Sequence, residues 1–306
     1  MALSTPAKDY MMLHLVVLIW GFTAILGMLI SIPSVEIVFY RTLLASLFLG
    51  AIFWWRKTKI RISNREILKI LGTGAIIALH WILFFAAARV SNISVCLAGL
   101  ATATFWTALI EPFATKGKVK WYEIVLGLVV IFGLYIIFSF EFDYWLGLAM
   151  AVVSAFLSAC FMVINAQLSK RGDPYVITFY EMLGAFLFSL LFLPIYSHFF
   201  TENGLQLATV AMDWVWLFLL AGICTVYALS VSVELMKRLT AFAVHLTVNL
   251  EPVYGIILAL IIFGEKERMT LEFYLGTMII LLSVCLYPLF TYIYKRRKAK
   301  QILRVQ

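Results

Sequence analysis

Charged residues are scarce in this sequence, at 13% of 306 positions, while 64% of the residues are hydrophobic. Soluble domains carry about 25% charged residues, so a water-soluble fold would leave too much apolar surface facing water. The apolar residues recur in blocks of about 20, the length that an α-helix needs to cross a bilayer core of about 30 Å. Alternating segments of about ten residues are missing, which argues against a transmembrane β-barrel. The sequence therefore predicts an all-α integral membrane protein.

Other missing features exclude further classes. The four cysteines all lie in apolar blocks, and they form no C-x-x-C motif or Cys/His cluster, so neither a disulfide framework nor a metal site is predicted. A Walker motif (G-x-x-x-x-G-K-[ST]) is missing, so ATP bound to this chain is not the expected energy source, and no cofactor is expected. The first apolar stretch, 11–30, has no A-x-A-like cleavage site after it, and we expect it to be retained as a helix.

The apolar blocks predict ten membrane-spanning helices. Basic residues are concentrated in the loops that an N-terminus inside the cell would place in the cytoplasm, with 20 there, three outside and Arg41 within a span. By the positive-inside rule, both termini are cytoplasmic, and we expect a multi-pass protein of the cell (cytoplasmic) membrane. The predicted spans are approximately 11–30, 34–55, 67–88, 93–113, 121–139, 145–168, 174–196, 213–236, 241–262 and 270–291.

The two halves of the sequence resemble each other weakly. Phe39-Tyr40-Arg41 matches Phe179-Tyr180-Glu181, and Gly74 matches Gly222. Because each half has five spans, the second half must be inverted relative to the first, an arrangement typical of alternating-access transporters with a substrate site near the midplane. The predicted units are a first five-helix repeat over 1–140, a second, inverted repeat over 141–294 and a basic cytoplasmic tail over 295–306.

At several motifs the chain resembles the EamA-type transporters of the drug/metabolite transporter superfamily. Trp20-Gly21 is similar to the family's first helix, Phe39-Tyr40-Arg41 to its second and Phe84-Phe85-Ala86-Ala87-Ala88-Arg89-Val90-Ser91 to the end of its third. Glu251-Pro252, followed by Phe263-Gly264-Glu265, resembles the signature of its ninth helix. The resemblance implies ten helices in two inverted five-helix repeats, and export or uptake of amino acids or similar metabolites.

Helix 4 departs from this pattern. It carries Thr104 and Lys118 where a proline and a glutamate would be expected from the spacing of helix 9. The departure leaves the family resemblance intact but puts the symmetry of the repeats around helix 4 in doubt.

Ionisable residues inside membrane spans are costly and are candidates for function. We predict coupling or gating roles for Arg41, Glu181, His245 and Pro252. Arg41 and Glu181 occupy matched positions, but the inverted topology separates them by about 10 Å in depth, so each is expected to face a cavity or to bond backbone groups near its own gate. The alternative for Arg41 is a side chain that reaches the outer interface.

Helix 9 has two polar faces on the spacing of a continuous helix. His245, Asn249 and Pro252 lie on one side, and Glu251 lies opposite. Pro252 removes a backbone hydrogen bond, which either kinks the helix or leaves a carbonyl free for a substrate. Glu251 could bind a substrate ammonium or exchange a proton, and the alternative is a structural bond to a neighbouring helix.

Aromatic residues lie near the middle of several spans, although tryptophan and tyrosine belong at membrane interfaces. They would suit a pocket for aromatic or cationic solutes, lined by helices 1, 3, 4, 6, 8 and 9, while plain helix packing remains the alternative. The predicted substrate-binding residues are Trp20, His80, Trp81, Phe84, Thr102, Trp106, Tyr227, Asn249 and Glu251.

Together these features predict a secondary transporter that moves small organic metabolites by alternating access, with export as the first choice. The alternatives within transport are a polyspecific drug exporter and a metabolite uptake carrier. An integral membrane enzyme, such as a lipid-linked transferase, is the alternative from another class. The expected partners are a small-molecule substrate, the lipid bilayer and protons, without nucleic acid. A monomer is expected, with a dimer as the alternative.

Overall fold

The computed structural model describes residues 5–57, 62–140, 142–202, 204–267 and 269–305, and within these ranges the chain forms helices and no β-strand. The all-α class predicted from the sequence is therefore confirmed. The helices are α1 (Thr5–Leu29), α2 (Ser34–Arg56), α3 (Asn64–Val90), α4 (Ile93–Leu100), α5 (Ala103–Thr115), α6 (Trp121–Phe140), α7 (Trp145–Leu168), α8 (Pro174–Phe199), α9 (Ala211–Ala221), α10 (Ala228–Leu235), α11 (Ala241–Val248), α12 (Glu251–Phe263) and α13 (Leu271–Val305).

Eight helical segments of the described chain are long and apolar enough to cross a membrane. Three of them combine consecutive elements: α4 with α5 forms helix 4 of the ten predicted from the sequence, α9 with α10 forms helix 8, and α11 with α12 forms helix 9. Two further helices contain shorter apolar stretches, Trp121–Ile137 in α6 and Leu271–Ser283 in α13. The protein is therefore a multi-pass membrane protein, and the predicted count of ten spans requires α6 and α13 to cross as well.

Side chains that accept backbone N–H groups fix several helix starts. The Ser63 hydroxyl accepts from the Glu66 backbone N–H and donates to the Glu66 carboxylate at 3.0 Å, which is a capping box at the start of α3. The side chains of Asn92, Asp173 and Thr240 accept backbone N–H groups at the starts of α4, α8 and α11. These three helices begin where the sequence predicts. The last helix runs to Val305, beyond its predicted end at 291, because the basic residues of the tail continue the helix.

Three spans predicted as continuous helices are interrupted near their middle. Helix 4 breaks at Ala101–Thr102 and helix 9 at Asn249–Leu250, where i→i−3 backbone bonds replace the helical pattern. Helix 8 contains a π-helical segment, Gly222–Tyr227. Helix 4 breaks even though Thr104 stands where a proline is expected from the spacing of helix 9. Broken helices at membrane depth are tolerated where they line a cavity.

Glycine contacts bring several helices close together, as is usual in membranes, where small residues permit close packing. A Cβ on Gly74 of α3 would lie 2.2 Å from the backbone oxygen of Glu181 on α8. A Cβ on Gly133 of α6 would lie 2.6 Å from the carbonyl oxygen of Gly276 on α13, and the reverse contact has the same distance. These contacts hold α3 against α8 and α6 against α13.

Candidate functional site

A cavity lies where the interrupted helices meet α1, α2, α3 and α7. The volume open to the centre of a water-sized sphere is about 60 Å³, which is room for about four to six water molecules. Nine of the 13 residues predicted from the sequence line it. The lining residues are Trp20, Thr23, Arg41, His80, Trp81, Phe84, Leu97, Leu100, Ala101, Ala103, Ser158, Phe161, Met162, Leu229, His245, Val248, Asn249, Glu251 and Pro252.

Arg41 of α2 supplies the positive charge of the cavity. Its side chain is buried, with 1% of its surface exposed, so it does not reach the outer interface. The guanidinium lies 3.6 Å from the centre of the Trp81 ring, within cation–π distance, and Nε donates to the Thr225 hydroxyl at 2.7 Å. The Nη1 nitrogen has no hydrogen-bond partner among the described residues. Arg41 is thus fixed in orientation while it retains donors for another group.

The π-helical segment of helix 8 supplies hydrogen-bond acceptors to Arg41 and to Trp20. Thr225 accepts from Arg41 and donates its own proton to the Leu220 carbonyl at 2.8 Å, five residues earlier. The Cys224 carbonyl accepts from Trp20 Nε1 at 3.2 Å. A π-helical turn displaces backbone and side chains from regular helical positions, and such turns are frequent at functional sites. This one joins α1 and α2 to helix 8 beside the cavity.

Glu251 contributes a carboxyl group to the cavity from the first residue of α12. It is buried, interacts electrostatically with Arg41 and makes no hydrogen bond to another described residue. No ion pair within 4 Å joins it to Arg41 in the described part of the chain. Asn249, in the break just before it, also lines the cavity, and its Nδ2 has no described partner. A guanidinium and a carboxyl group therefore line one small cavity without a direct ion pair between them among the described residues.

Pro252 lies in the first turn of α12, where its missing N–H costs no helical bond. The same missing N–H leaves the Val248 carbonyl, four residues earlier, without the donor that a continuous helix would provide. Both Val248 and Pro252 line the cavity. The proline therefore produces a helix break rather than a simple kink.

His80 of α3 is held by α7. Its Nδ1 lies 2.9 Å from the Ser154 carbonyl, which can only accept, so Nδ1 carries the proton. The Ser154 hydroxyl donates in return to the His80 carbonyl at 2.9 Å. In the neutral ring this assignment leaves Nε2 as an acceptor, and the residue lines the cavity.

His245 of α11 bonds to two hydroxyl groups. The Thr107 hydroxyl donates to the Ala103 carbonyl at 2.7 Å, so it accepts from His245 Nδ1, also at 2.7 Å. The other ring nitrogen, Nε2, then accepts from the Ser158 hydroxyl at 3.1 Å. Both ring nitrogens are used within the protein, so the neutral His245 joins α5, α7 and α11 at the cavity wall.

Four predicted residues do not line this cavity, namely Thr102, Trp106 and Tyr227, which were predicted to bind substrate, and Glu181, which was predicted for coupling or gating. Thr102 donates to the Gly99 carbonyl at 2.8 Å within the helix 4 break. Trp106 packs against Phe105 and Phe156 instead. Tyr227, the last residue of the π-helical segment, is 38% exposed and donates to the Met12 sulfur. Glu181 is fully buried in α8 and does not line the cavity.

The sequence analysis missed several residues that build the site. Ser154 and Ser158 are one turn apart on α7, and each bonds to one of the two cavity histidines. Their signal was the i, i+4 spacing of two hydroxyl groups in the apolar middle of α7. Thr225, which orients Arg41, had no comparable signal. In the described part of the chain, no three His, Cys, Asp or Glu side chains lie together as metal ligands.

Polar contacts join the two halves of the chain at both ends of the helix bundle. At one end, Asp213 accepts from the Ser31 backbone N–H at 2.9 Å and from its hydroxyl at 2.5 Å. At the other end, Arg238 donates to both oxygens of Asp9, at 2.7 and 2.9 Å, and this hydrogen-bonded carboxylate raises the pKa of Arg238. Glu111 there accepts from the first two N–H groups of α11.

Comparison with known proteins agrees with this architecture. A relative from Synechocystis sp. (strain ATCC 27184 / PCC 6803 / Kazusa), described as an uncharacterized transporter, is 25% identical over 248 residues, which cover 76% of this chain and 68% of the relative. A crystal structure of another protein superposes with a TM-score of 0.68 at 13% identity, covering 93% of this chain and 98% of that one. At that identity the likeness shows the fold alone.

The EamA-like transporter family matches two segments of the chain, 8–139 and 145–288, which together span most of its length. The resemblance seen at Trp20-Gly21, Phe39-Tyr40-Arg41 and Glu251-Pro252 is thereby confirmed. The chain belongs to the EamA-like transporter family.

Proposed function

We propose that the protein is a secondary transporter of small zwitterionic metabolites, such as amino acids, and that Arg41 and Glu251 bind the two charges of the solute. The observation that carries this proposal is that an arginine and a glutamate line one small cavity with no ion pair between them in the described part of the chain. The family supports membrane transport of small molecules in general. The solute class is inferred from the cavity.

Charge complementarity favours a zwitterion over a singly charged solute. A buried charge without a partner costs several kcal/mol, so a solute that neutralises only one of the two residues leaves the other uncompensated. The guanidinium of Arg41 suits a carboxylate, to which it can donate two parallel hydrogen bonds. The Glu251 carboxylate and the free His80 Nε2 are acceptors that suit an ammonium group.

The walls and the volume of the cavity support a small solute with an apolar side chain. Trp20, Phe84 and Phe161 contribute aromatic surface beside the charged groups. The present volume of about 60 Å³ is far below the roughly 300–1,000 Å³ of typical ligand pockets. With polar contacts at both ends, this conformation represents a closed state, and an aromatic solute would require the helices around the cavity to separate.

Alternating access between two inverted five-helix repeats is the mechanism that we propose. The reciprocal contact between Gly133 and Gly276 supports a two-fold relation of α6 to α13. The paired breaks in helices 4 and 9 and the two family-matched segments support the same relation. Ten spans, cytoplasmic termini and a place in the cell membrane complete the proposal, with export as the direction of net transport.

Counterflow in proteoliposomes tests the proposed function. Vesicles preloaded with one unlabelled amino acid should accumulate the labelled form, and the panel should extend to amines, carboxylic acids and nucleosides. Glu251→Gln should abolish or strongly weaken transport of zwitterions, because it removes the partner of the ammonium. Glu234→Gln is the matched control, since Glu234 is exposed at the end of α10. No transport of any zwitterion by the wild type would contradict the proposal.

A further inference from the structure

A second buried carboxyl group, Glu181, lies in α8 away from the solute cavity. Its side chain is fully buried, and neither carboxyl oxygen has a hydrogen-bond partner among the described residues. The backbone of α3 closes tightly on the same helical turn, at Gly74, so no bulky side chain fits between α3 and α8 there. An ionised carboxylate left in this position would cost several kcal/mol.

The polar groups near Glu181 are neutral. Asn165 of α7 faces the carboxyl group, and it is also fully buried with neither amide atom bonded to a described partner. The Thr178 hydroxyl, on the preceding turn of α8, is buried and without a described partner as well. Unsatisfied buried groups from two adjacent helices are unusual, because most buried polar atoms in proteins are hydrogen-bonded.

No charged group compensates Glu181 from the helices packed around it. The helices packed against α8 are α2, α3 and α10, and neither they nor α7 places a charged or titratable side chain in electrostatic contact with Glu181 in the described part of the chain. On α3, the Thr73 hydroxyl donates to the Lys69 carbonyl. On α10, Glu234 is bonded to Lys237 and Arg238 at the surface. The surroundings of Glu181 therefore suit an uncharged carboxylic acid.

We propose that Glu181 and Asn165 form a proton-binding site, separate from the solute cavity, that exchanges its proton with water when the helices around the two side chains separate. A protonated carboxyl group has one donor and an acceptor, and a primary amide has the matching acceptor and donors, so the two side chains can bond reciprocally. A metal cation would require about six oxygen ligands. The described groups supply only the carboxylate, Asn165 Oδ1 and Thr178 Oγ1.

The depth of the site determines which end of the protein it serves. Glu181 lies seven residues after the start of α8 at Pro174, about 10 Å along the helix at 1.5 Å per residue. Asn165 lies three residues before the end of α7, near the same end. Opening of this end admits water, and the proton passes from the Glu181 carboxyl oxygen to water, leaving a carboxylate. Closing requires the proton to return, so the site makes closure of this end depend on pH.

Infrared spectroscopy of the full-length protein in lipid tests the site without any solute. The wild type at neutral pH should show the carbonyl band of a protonated carboxylic acid, and Glu181→Gln should lose the part that belongs to this residue. Glu234→Gln should leave that part unchanged, because Glu234 is exposed and ion-paired. If Glu181→Gln leaves the band intact, or if the wild type has none, Glu181 is ionised and the proposal fails.

Two further measurements distinguish this proposal from its alternatives and from the proposed function. The first is the effect of sodium chloride on unfolding at constant ionic strength. If sodium chloride stabilises the wild type but not Glu181→Gln, Glu181 belongs to a cation site and the proton site is contradicted. In proteoliposomes, labelled amino acid exchange by the wild type should slow as the pH at this end rises, and Glu181→Gln should lose that response. Exchange that keeps its pH response in Glu181→Gln would also contradict the site. The infrared result stands even if no amino acid is transported.

Discussion

Replacing Arg41 with lysine should separate the charge of this residue from its geometry. The guanidinium is held by the Thr225 hydroxyl at 2.7 Å and by the Trp81 ring at 3.6 Å, so its remaining donors point in a fixed direction. Lysine keeps the charge but offers a compact ammonium on a flexible chain, without the planar pair of donors that matches a carboxylate. We therefore expect the loss of one of two charge-assisted hydrogen bonds to the solute.

Such a bond contributes about 1.5–3 kcal/mol, which corresponds to roughly 10- to 100-fold weaker binding. The assay is half-saturation of counterflow, measured with an amino acid and with the amine that lacks its carboxylate. Arg41→Lys should weaken the amino acid by that factor and leave the amine nearly unchanged. Thr225→Val, which frees the guanidinium without removing it, should produce a smaller loss in the same direction.

Two results would refute this reasoning. Unchanged half-saturation for the amino acid in Arg41→Lys would mean that Arg41 does not bind the carboxylate. An equal loss for the amino acid and the amine would mean that the substitution damages the cavity generally. In either case the role of Arg41 would be limited to holding α2 against helix 8 through Thr225.

Three further predictions concern packing, a cavity wall and one closed end. Gly133→Leu should lower the unfolding temperature in detergent by several degrees, because the new side chain meets α13. Gly72→Leu is the control and should not lower it, because a side chain added at Gly72 meets nothing within 4 Å. Equal effects of the two substitutions would argue against the α6–α13 contact. Thr107→Val removes the partner of His245 Nδ1 and should slow counterflow, and an unchanged rate would exclude a role for this bond. Asp9→Asn should change the free energy of unfolding by less than about 1 kcal/mol, because its partner Arg238 is partly exposed. The substitution should still increase the labelling of cysteines introduced at the end of the bundle where Asp9 and Arg238 meet. Unchanged labelling would mean that this ion pair does not close that end.

The span positions and several helix ends were accessible from the sequence because they depend on local chemistry. Apolar blocks about 20 residues long gave the spans, and the structure shows that Asn92, Asp173 and Thr240 cap three helices that begin at the predicted positions. The grouping of Trp20 and His80 around one cavity was also predicted, because buried polar and aromatic residues at midplane depth are costly to face toward lipid.

Helix interruptions account for much of what the sequence did not provide. On a continuous helix 9, His245 and Glu251 lie on opposite faces, yet both line the cavity because the break at Asn249–Leu250 resets the helical angle between them. The π-helical segment similarly turns Tyr227 outward and Thr225 toward Arg41. Neither interruption follows from a 3.6-residue period, because that period assumes an unbroken α-helix.

The most direct test of zwitterion recognition is competition by derivatives of one transported amino acid. Its methyl ester lacks the carboxylate that Arg41 would bind, and its N-acetyl form lacks the ammonium that Glu251 would bind. The two-charge cavity predicts that the unmodified amino acid inhibits labelled counterflow strongly while both derivatives inhibit weakly. Equal inhibition by the ester or by the N-acetyl form would contradict recognition of a zwitterion between Arg41 and Glu251.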